Sequence, residues 1–179
     1  MMFTISKSIT ALVASVGLFT TFVVAAPAAR ADDKDIAQAL RAGGLVLVVR
    51  HGATFPDKAD TDPLNFDNIA AQRNLNDKGK ALAKAFGDAV RQAGIPIGKV
   101  YTSKYNRAYE TAVIAGFQNV EKIVDLTEGG LIVTPNENNR RSEAFRKMLT
   151  VAPTDHTNTV LVTHQPNIVA ALGDRKSVV

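Results

Sequence analysis

Residues 45–52 read LVLVVRHG. Five consecutive apolar residues, most of them β-branched, are typical of a strand that is buried on both faces. Such strands belong to parallel sheets, because helices cover both faces of a parallel sheet. The strand runs directly into Arg50 and His51. Ligands of open α/β sheets bind outside the carboxyl ends of the strands, so we expect this edge of the sheet to hold the chemistry of the protein.

Strand patterns and helix patterns alternate along the rest of the chain. The clearest helix pattern lies between Asp77 and Ala93, where apolar residues recur at helical spacing and Asn76 or Asp77 is the expected N-cap. The alternation predicts a three-layer αβα fold of the α/β class with a mainly parallel central sheet. The segment 55–74 is irregular, and we interpret it as a loop over the pocket that sets substrate choice. Helices are predicted over 33–41, 77–93, 105–117, 142–150 and 166–173, and strands over 45–49, 99–101, 123–124 and 159–163.

The first 31 residues have the pattern of a secretory signal peptide. Lys7 precedes an uncharged apolar stretch over 9–26, and Ala29 and Ala31 are the small residues that a signal peptidase reads. We therefore expect cleavage after Ala31, export to the periplasm or the medium, and no stable membrane association of the mature protein. An uncleaved anchor is the alternative, since 18 apolar residues are just long enough to span a bilayer. The remaining segment, 32–179, is long enough for one domain.

The composition excludes several kinds of chemistry. The chain has 179 residues, no Cys and three His, so a thiolate nucleophile, a disulfide framework and a cysteine zinc site are excluded. The formal net charge of +4 is compatible with nucleic-acid binding. Removing residues 1–31 takes Lys7 and Arg30 from 21 basic side chains and none from the 17 acidic ones, which leaves a net charge of +2. Because the aromatic content is 6% and no nucleic-acid motif is present, we expect no nucleic-acid partner.

Two histidines and two arginines follow three of the predicted strands. Arg50 and His51 follow the first strand, and His164 ends the last one. Arg107 comes shortly after the strand over 99–101. Because parallel strands present their carboxyl ends at one edge of the sheet, we expect these four side chains to lie close together.

The groups at this edge suit a phosphate. Guanidinium groups are planar, permanently charged forks that match phosphate oxygens, and the helix N-termini expected near Tyr105 and Pro166 add free N–H groups for an anion. An imidazole attacks phosphorus only through an unprotonated nitrogen, so the other nitrogen of His51 needs a partner, which we expect in the backbone around Gly52. Adjacent positive charge lowers the pKa of a histidine and favours that form. Phosphoryl transfer then needs positioning and charge neutralisation, and we expect no metal or other cofactor.

Four motifs follow one another along the chain: VRHGAT at 49–54, QRxLxxxG at 72–79, SxxxRAxETA at 103–112 and VTH at 162–164. In this order they resemble the histidine phosphatase superfamily, which has the phosphoglycerate mutase-like fold. The resemblance implies a phosphatase of small phosphorylated substrates in which His51 is transiently phosphorylated. It implies that Arg50 and Arg107 bind the phosphate and that His164 completes the pocket. Members usually continue past the second histidine into another strand, so the resemblance also implies a fold shortened at its C-terminus, Val179.

The resemblance further implies a carboxylic acid that protonates the leaving oxygen, and Glu128 stands where the family usually carries it. Such an acid must hold its proton near neutral pH. The alternative is that Glu128 only opens the turn at Gly129 and Gly130. Glu110 is the competing carboxylate, for which we expect a structural role. No aromatic-Gly pattern follows Glu128, which argues against sugar-phosphate mutase activity.

Several other residues are candidates with two interpretations each. We assign Thr54 to phosphate binding, with a turn-forming hydroxyl as the alternative. Arg73 either reaches the site or only precedes the helix. His156 is expected to be a solvated loop residue. The basic run formed by Arg140, Arg141, Arg146 and Lys147 is interpreted as a solvated helix face, with an entry funnel for an anionic substrate as the alternative.

Two other functions stay open. A non-catalytic phosphate- or phosphopeptide-binding module would keep the arginines but lack a competent acid. A metal hydrolase would use His51, His164 and a carboxylate. However, no HExxH or other compact ligand spacing occurs, and two arginines would repel a cation, so no metal ligand is assigned.

Overall fold

The computed structural model describes residues 33–173. The predicted signal peptide over 1–31, its cleavage site and the shortened C-terminus at Val179 lie outside the described residues. Within 33–173, no helix is both long and apolar enough to cross a membrane. The helices are α1 (Asp33–Ala42), α2 (Asp77–Gln92), α3 (Asn106–Ile114), α4 (Pro135–Thr150) and α5 (Gln165–Leu172), with 3₁₀ turns at Ile69–Ala71 and Val124–Leu126, and the strands are β1 (Val46–Arg50), β2 (Ile97–Ser103), β3 (Val120–Ile123) and β4 (Asn158–Thr163).

One parallel sheet carries the four described strands in the order β1-β4-β2-β3. β4 pairs with β1 on one side and with β2 on the other. The register sets Arg50 opposite Thr163, so that His51 and His164 both leave the sheet at the same level. Parallel pairing therefore brings the carboxyl ends of β1, β2 and β4 to one edge, where the sequence places its chemistry.

Helices cover both faces of the sheet. On one face α3 packs on β2 and β4, and α2 packs on α3. On the other face α4 and α5 pack together, and α4 also packs on the turn at Val124–Leu126. The three-layer αβα fold is thus confirmed. The buried residues of the first core are Val100, Ala108, Ala112, Val160 and Val162, and those of the second are Leu126, Phe145 and Leu161.

The strand that is buried on both faces is β4, and the prediction of this property for residues 45–49 is wrong. Every residue of β4 is buried, whereas the apolar residues of β1 are half-buried. β1 lies at the edge of the described sheet, and β4 lies between two strands. A run of apolar residues predicts a strand, but the position of that strand in the sheet decides how deeply its residues are buried.

Several element boundaries differ from the predicted ones, those of β3 and α4 most clearly. β3 covers Val120–Ile123 and not 123–124. α4 begins at Pro135, well before residue 142, and the Thr134 hydroxyl accepts a hydrogen bond from the Glu137 N–H at 3.2 Å. A threonine N-cap followed by a glutamate three residues later is a capping-box pattern, and proline favours the first helical position. The start signals of α4 were therefore present in the sequence, but the polar first half of this helix lacks the apolar stripe by which helices are recognised.

Candidate active site

His51 follows β1, and hydrogen bonds hold both its ring and the next residue, Gly52, in place. The ring Nδ1 lies 2.7 Å from the carbonyl oxygen of Gly52, to which it donates. The Gly52 N–H donates to Oγ1 of Thr111 on α3 at 3.0 Å. This is the backbone partner that the sequence analysis expected. With the proton on Nδ1, the neutral ring keeps its lone pair on Nε2, and within residues 33–173 Nε2 makes no hydrogen bond.

Burial and positive charge keep His51 neutral. Burial, the largest cause, and the charges of Arg107, Arg50 and Arg73 lower the pKa of His51 to about 4, although the hydrogen bond to Gly52 acts in the opposite direction. The side chain is 8% exposed. Near neutral pH the Nε2 lone pair is therefore available for attack on an electrophile.

Acidification from pH 7 to pH 5 is expected to destabilise the fold through His51. The unfolded chain binds a proton at the ordinary pKa of 6.5, whereas the folded protein binds it only near pH 4. Stability is therefore lost as the pH falls below 6.5, by about 2 kcal/mol at pH 5 for this ring. Urea-unfolding midpoints at the two pH values measure the loss, which should be smaller in His51→Gln. An equal loss in both proteins would assign the acid sensitivity to other groups.

His164 follows β4 and is fully buried. Its Nε2 lies 2.7 Å from Oγ of Ser103, at the end of β2. Its Nδ1 lies 3.4 Å from Oε2 of Glu128 without making a hydrogen bond to a described residue. The ring centroids of His51 and His164 are 5.0 Å apart. Burial, and after it the charge of Arg107, holds the pKa of His164 well below its usual range, so both rings are neutral near pH 7.

A cleft of about 620 Å³ opens over these side chains. His51, Glu128 and His164 line it together with Arg50 and Arg73, and the start of α5 forms another part of the wall. Of the two interpretations given for Arg73, the structure therefore agrees with the one in which this side chain reaches the site. Within 33–173, neither of these arginines makes an ion pair, and no three His, Asp or Glu side chains come together as a possible metal site. Two unpaired guanidiniums beside a neutral imidazole suit an anionic substrate.

Arg107 is brought to the same edge, but it lies behind the cleft and is 1% exposed. Its Nη1 donates to Oδ1 of Asp60 at 2.9 Å, and its Nη2 lies 3.5 Å from Oε2 of Glu128. Its guanidinium stacks over the Tyr105 ring at 4.1 Å. Its Nε is buried and has no partner among the described residues. Two acidic side chains therefore lie beside this guanidinium, and one N–H donor is left open.

Asp60, which the sequence analysis missed, belongs to the predicted loop 55–74. This loop is attached to the start of α3, where the Asn106 N–H donates to the Gln72 side chain at 2.7 Å and the Tyr105 hydroxyl donates to a loop carbonyl at 3.1 Å. Gln72 therefore caps α3 from outside the helix. The Asn106 N–H is therefore taken by the loop, and the Tyr105 N–H donates to Oγ of Ser103 at 3.1 Å. These two N–H groups near Tyr105 are not free for an anion, contrary to the expectation for this N-terminus.

Thr54 is not among the residues that line the cleft. Its backbone forms an antiparallel bridge with Leu75, and its carbonyl accepts a hydrogen bond from the Asn76 side chain at 2.8 Å. Asn76 is also the N-cap of α2, as one of the two expectations had it. These contacts place Thr54 beside the start of α2, and its contact with phosphate stays a prediction.

Glu110 lies 3.6 Å from Lys80 on the neighbouring helix, in agreement with a structural role.

The basic run of α4 is not simply a solvated face. Arg140 donates to Glu137 at 2.8 Å, and Arg141 is buried and donates to the carbonyl oxygen of Thr127 at 3.1 Å. Arg146 donates to the last carbonyls of α5, at 2.7 Å for the shorter bond. These side chains tie α4 to the segment that carries Glu128 and to α5. The basic run lies outside the lining of the cleft, so the alternative of an entry funnel gains no support.

Part of the chain matches a known protein family. Residues 45–131 match the family model described as Histidine phosphatase superfamily (branch 1). No curated protein sequence matches the chain.

Among solved structures, an Escherichia coli K-12 protein provisionally described as an alpha-ribazole-5'-P phosphatase has a TM-score of 0.51 and 18% identity, over 73% of this chain and 78% of that one. A Nakamurella protein provisionally described as the phosphohistidine phosphatase SixA has a TM-score of 0.49 and 23% identity, over 70% of this chain. The match spans only 62% of that protein's own length. A mycobacterial glucosyl-3-phosphoglycerate phosphatase solved with VO3 has a TM-score of 0.49 and 18% identity, over 70% of this chain and 78% of that one.

Proposed function

Because residues 45–131 match the model of the histidine phosphatase superfamily, we propose that the chain belongs to this superfamily and hydrolyses phosphate monoesters through a phosphohistidine at His51. The observation that carries the proposal is the state of this ring. Its Nδ1 is held by the Gly52 carbonyl at 2.7 Å, and its lowered pKa of about 4 leaves Nε2 unprotonated at the cleft. A histidine in this state is an activated nucleophile.

In the first step, Nε2 of His51 attacks the phosphorus atom and the bond to the ester oxygen breaks. Arg50 and Arg73 line the cleft, and their proposed role is to neutralise charge on the phosphoryl oxygens. Glu128 is the proposed proton donor to the leaving alcohol, because its carboxyl group lines the cleft beside both histidines. In the second step, the Glu128 carboxylate takes a proton from the attacking water, and the phosphohistidine bond breaks to release inorganic phosphate.

The buried N–H of Arg107 and the ring of His164 give this site further capacity for an anion. The Arg107 Nε and the His164 Nδ1 are buried polar atoms without a partner among the described residues. Such groups cost free energy unless something satisfies them. A phosphoryl oxygen is an acceptor that suits the N–H of Arg107, which supports the proposed role of Arg107 in phosphate binding.

The purified full-length protein is expected to hydrolyse p-nitrophenyl phosphate in the presence of EDTA. Glu128→Gln should lower turnover by about 10²- to 10⁴-fold for a simple alkyl phosphate, because the poor leaving group needs its proton. The same variant should lose much less with p-nitrophenyl phosphate, whose leaving group departs without one.

Glu110→Gln is the matched control and should change neither rate. Equal losses with both substrates would show that Glu128 is not the proton donor. Activity that EDTA removes and zinc restores would support a metal hydrolase, and phosphate binding without turnover would support the non-catalytic binding module.

We also propose that the protein is exported, with residues 1–31 removed. The support is the leader pattern alone, a basic residue followed by an apolar stretch and an Ala-x-Ala site. Mass spectrometry of the protein recovered from a periplasmic extract is expected to find Asp32 as its first residue. An intact N-terminus in the membrane fraction would identify the segment as an anchor.

A further inference from the structure

We propose that Ser103 is a positioning residue that selects the tautomer of His164, so that the neutral ring carries its proton on Nδ1, the nitrogen beside Glu128. The catalytic consequence of this proposal rests on the proposed phosphatase function. Ser103 is fully buried at the end of β2, and neither the nucleophile nor the proton donor uses its hydroxyl.

Three groups surround the Oγ of Ser103. The Nε2 of His164 lies at 2.7 Å, the backbone N–H of Tyr105 at 3.1 Å and the Oγ1 of Thr127 at 3.4 Å. The Tyr105 N–H can only donate, so it occupies one lone pair of the hydroxyl oxygen. The single proton of the hydroxyl is therefore directed either to His164 or to Thr127.

The distances favour donation to His164. A hydroxyl donor bonds best at about 2.7 to 2.8 Å, which is the separation of Ser103 from Nε2, whereas 3.4 Å to Thr127 is long. The Thr127 hydroxyl already accepts from the Lys104 N–H at 2.8 Å and donates to the Ile123 carbonyl at 3.0 Å. Donation from Ser103 requires a lone pair on Nε2, and the neutral ring then has its proton on Nδ1.

The surroundings of Nδ1 favour the same arrangement. This atom is buried, and the Oε2 atom of Glu128 lies 3.4 Å away. An N–H group on Nδ1 is attracted to a lone pair of this Glu128 oxygen, whereas a lone pair on Nδ1 is repelled by it. A protonated Nδ1 is therefore an N–H donor directed toward Glu128, which lines the cleft together with His164.

The charge around His164 makes its tautomer important. Arg107, Arg73 and Arg50 all oppose a positive charge on this ring, as does His51 when protonated. A neutral imidazole has one N–H group only, so the tautomer decides whether His164 donates toward Glu128 and the cleft or toward Ser103. Selection of the Nδ1–H form supplies the site with a donor without adding a charge.

Long-range ¹H–¹⁵N correlation spectra of the full-length protein labelled with ¹⁵N-histidine test the proposal directly. The chain has three histidines, so His51→Ala and His156→Ala assign the signals of His164 by elimination. At pH 7 we expect His164 to show a protonated Nδ1 and an unprotonated Nε2. A protonated Nε2 in the unmutated protein overturns the proposal. Neither result depends on turnover, so this test is separate from that of the phosphatase function.

Two substitutions test whether Ser103 selects the Nδ1–H tautomer of His164. Ser103→Ala removes the donor and should shift His164 toward the Nε2–H form, with kcat for p-nitrophenyl phosphate reduced by about 10-fold. Ser103→Thr keeps a hydroxyl and should restore the Nδ1–H signal. Ser142→Ala, a serine on α4, is the control and should change neither quantity. If His164 keeps the Nδ1–H form in Ser103→Ala, the role of Ser103 is overturned whatever the activity of that variant.

Discussion

Replacing His51 with alanine is expected to abolish phosphatase activity while leaving a folded protein. The loss of kcat should be at least about 10³-fold, because the substitution removes the atom that bonds to phosphorus and with it the covalent pathway. Brief incubation with a ³²P-labelled monoester, followed by denaturation, should label the unmutated protein with an acid-labile, alkali-stable group. The same treatment should leave His51→Ala unlabelled.

His156→Ala is the matched control for this experiment. His156 lies in the exposed loop before β4, away from the cleft, and its removal should leave both label and turnover unchanged. Full activity of His51→Ala would overturn the phosphohistidine mechanism. Labelling of the unmutated protein without release of phosphate would favour the binding module over the enzyme.

Gly79→Ala is expected to impair both stability and catalysis, contrary to helix propensity. In an isolated helix, alanine is favoured over glycine by about 1 kcal/mol. In this fold, a Cβ on Gly79 would lie 2.1 Å from the Ala53 carbonyl oxygen, which belongs to the loop that carries His51. The clash is between the new Cβ and the backbone of Ala53, so relieving it requires a shift of that loop relative to α2. We expect a loss of about 1 to 3 kcal/mol in the free energy of unfolding and a loss of about 10²-fold in kcat/KM from misplacement of the nucleophile.

Gly87→Ala separates these two effects. Gly87 lies on the same helix, and a Cβ there would lie 1.9 Å from the Ala115 carbonyl oxygen at the end of α3, which is not part of the cleft. Its stability should fall like that of Gly79→Ala, measured by urea unfolding. Its kcat/KM, corrected for the folded fraction, should stay near that of the unmutated protein. A similar loss of kcat/KM in both variants would show that α2 supports activity only through overall stability.

The fold could be predicted because its decisive signals are local. The apolar run at 45–49 and the helical spacing after Asn76 identify their elements without any knowledge of neighbours. The motif at 72–79 contains Gly79, but the close approach of Ala53 that makes glycine necessary there becomes visible only when α2 and the loop after β1 are packed together. The segment over 135–141 was missed because its helix signals are polar caps without an apolar stripe.

The site could be predicted only in part. His51, Glu128 and His164 line one cleft, because parallel strands end at a common edge and each of these residues follows a strand or the turn after it. Asp60 had no local signal, since it stands in an irregular loop and its role consists of one contact with Arg107. Ser103 was part of a quoted motif, but its partner His164 is 61 residues away in the chain.

The sequence by itself therefore determined the resemblance to a family, the alternation of strands and helices, and the edge of the sheet at which His51 and His164 lie. These properties follow from short stretches of chain and from the geometry that all parallel sheets share. Only the tertiary structure decided that β4 lies between β1 and β2, that Asp60 pairs with Arg107, and that Nδ1 of His164 faces Glu128. Each of these depends on contacts between segments that are distant in the chain, and no local pattern of residues specifies which distant side chain a buried polar atom will meet.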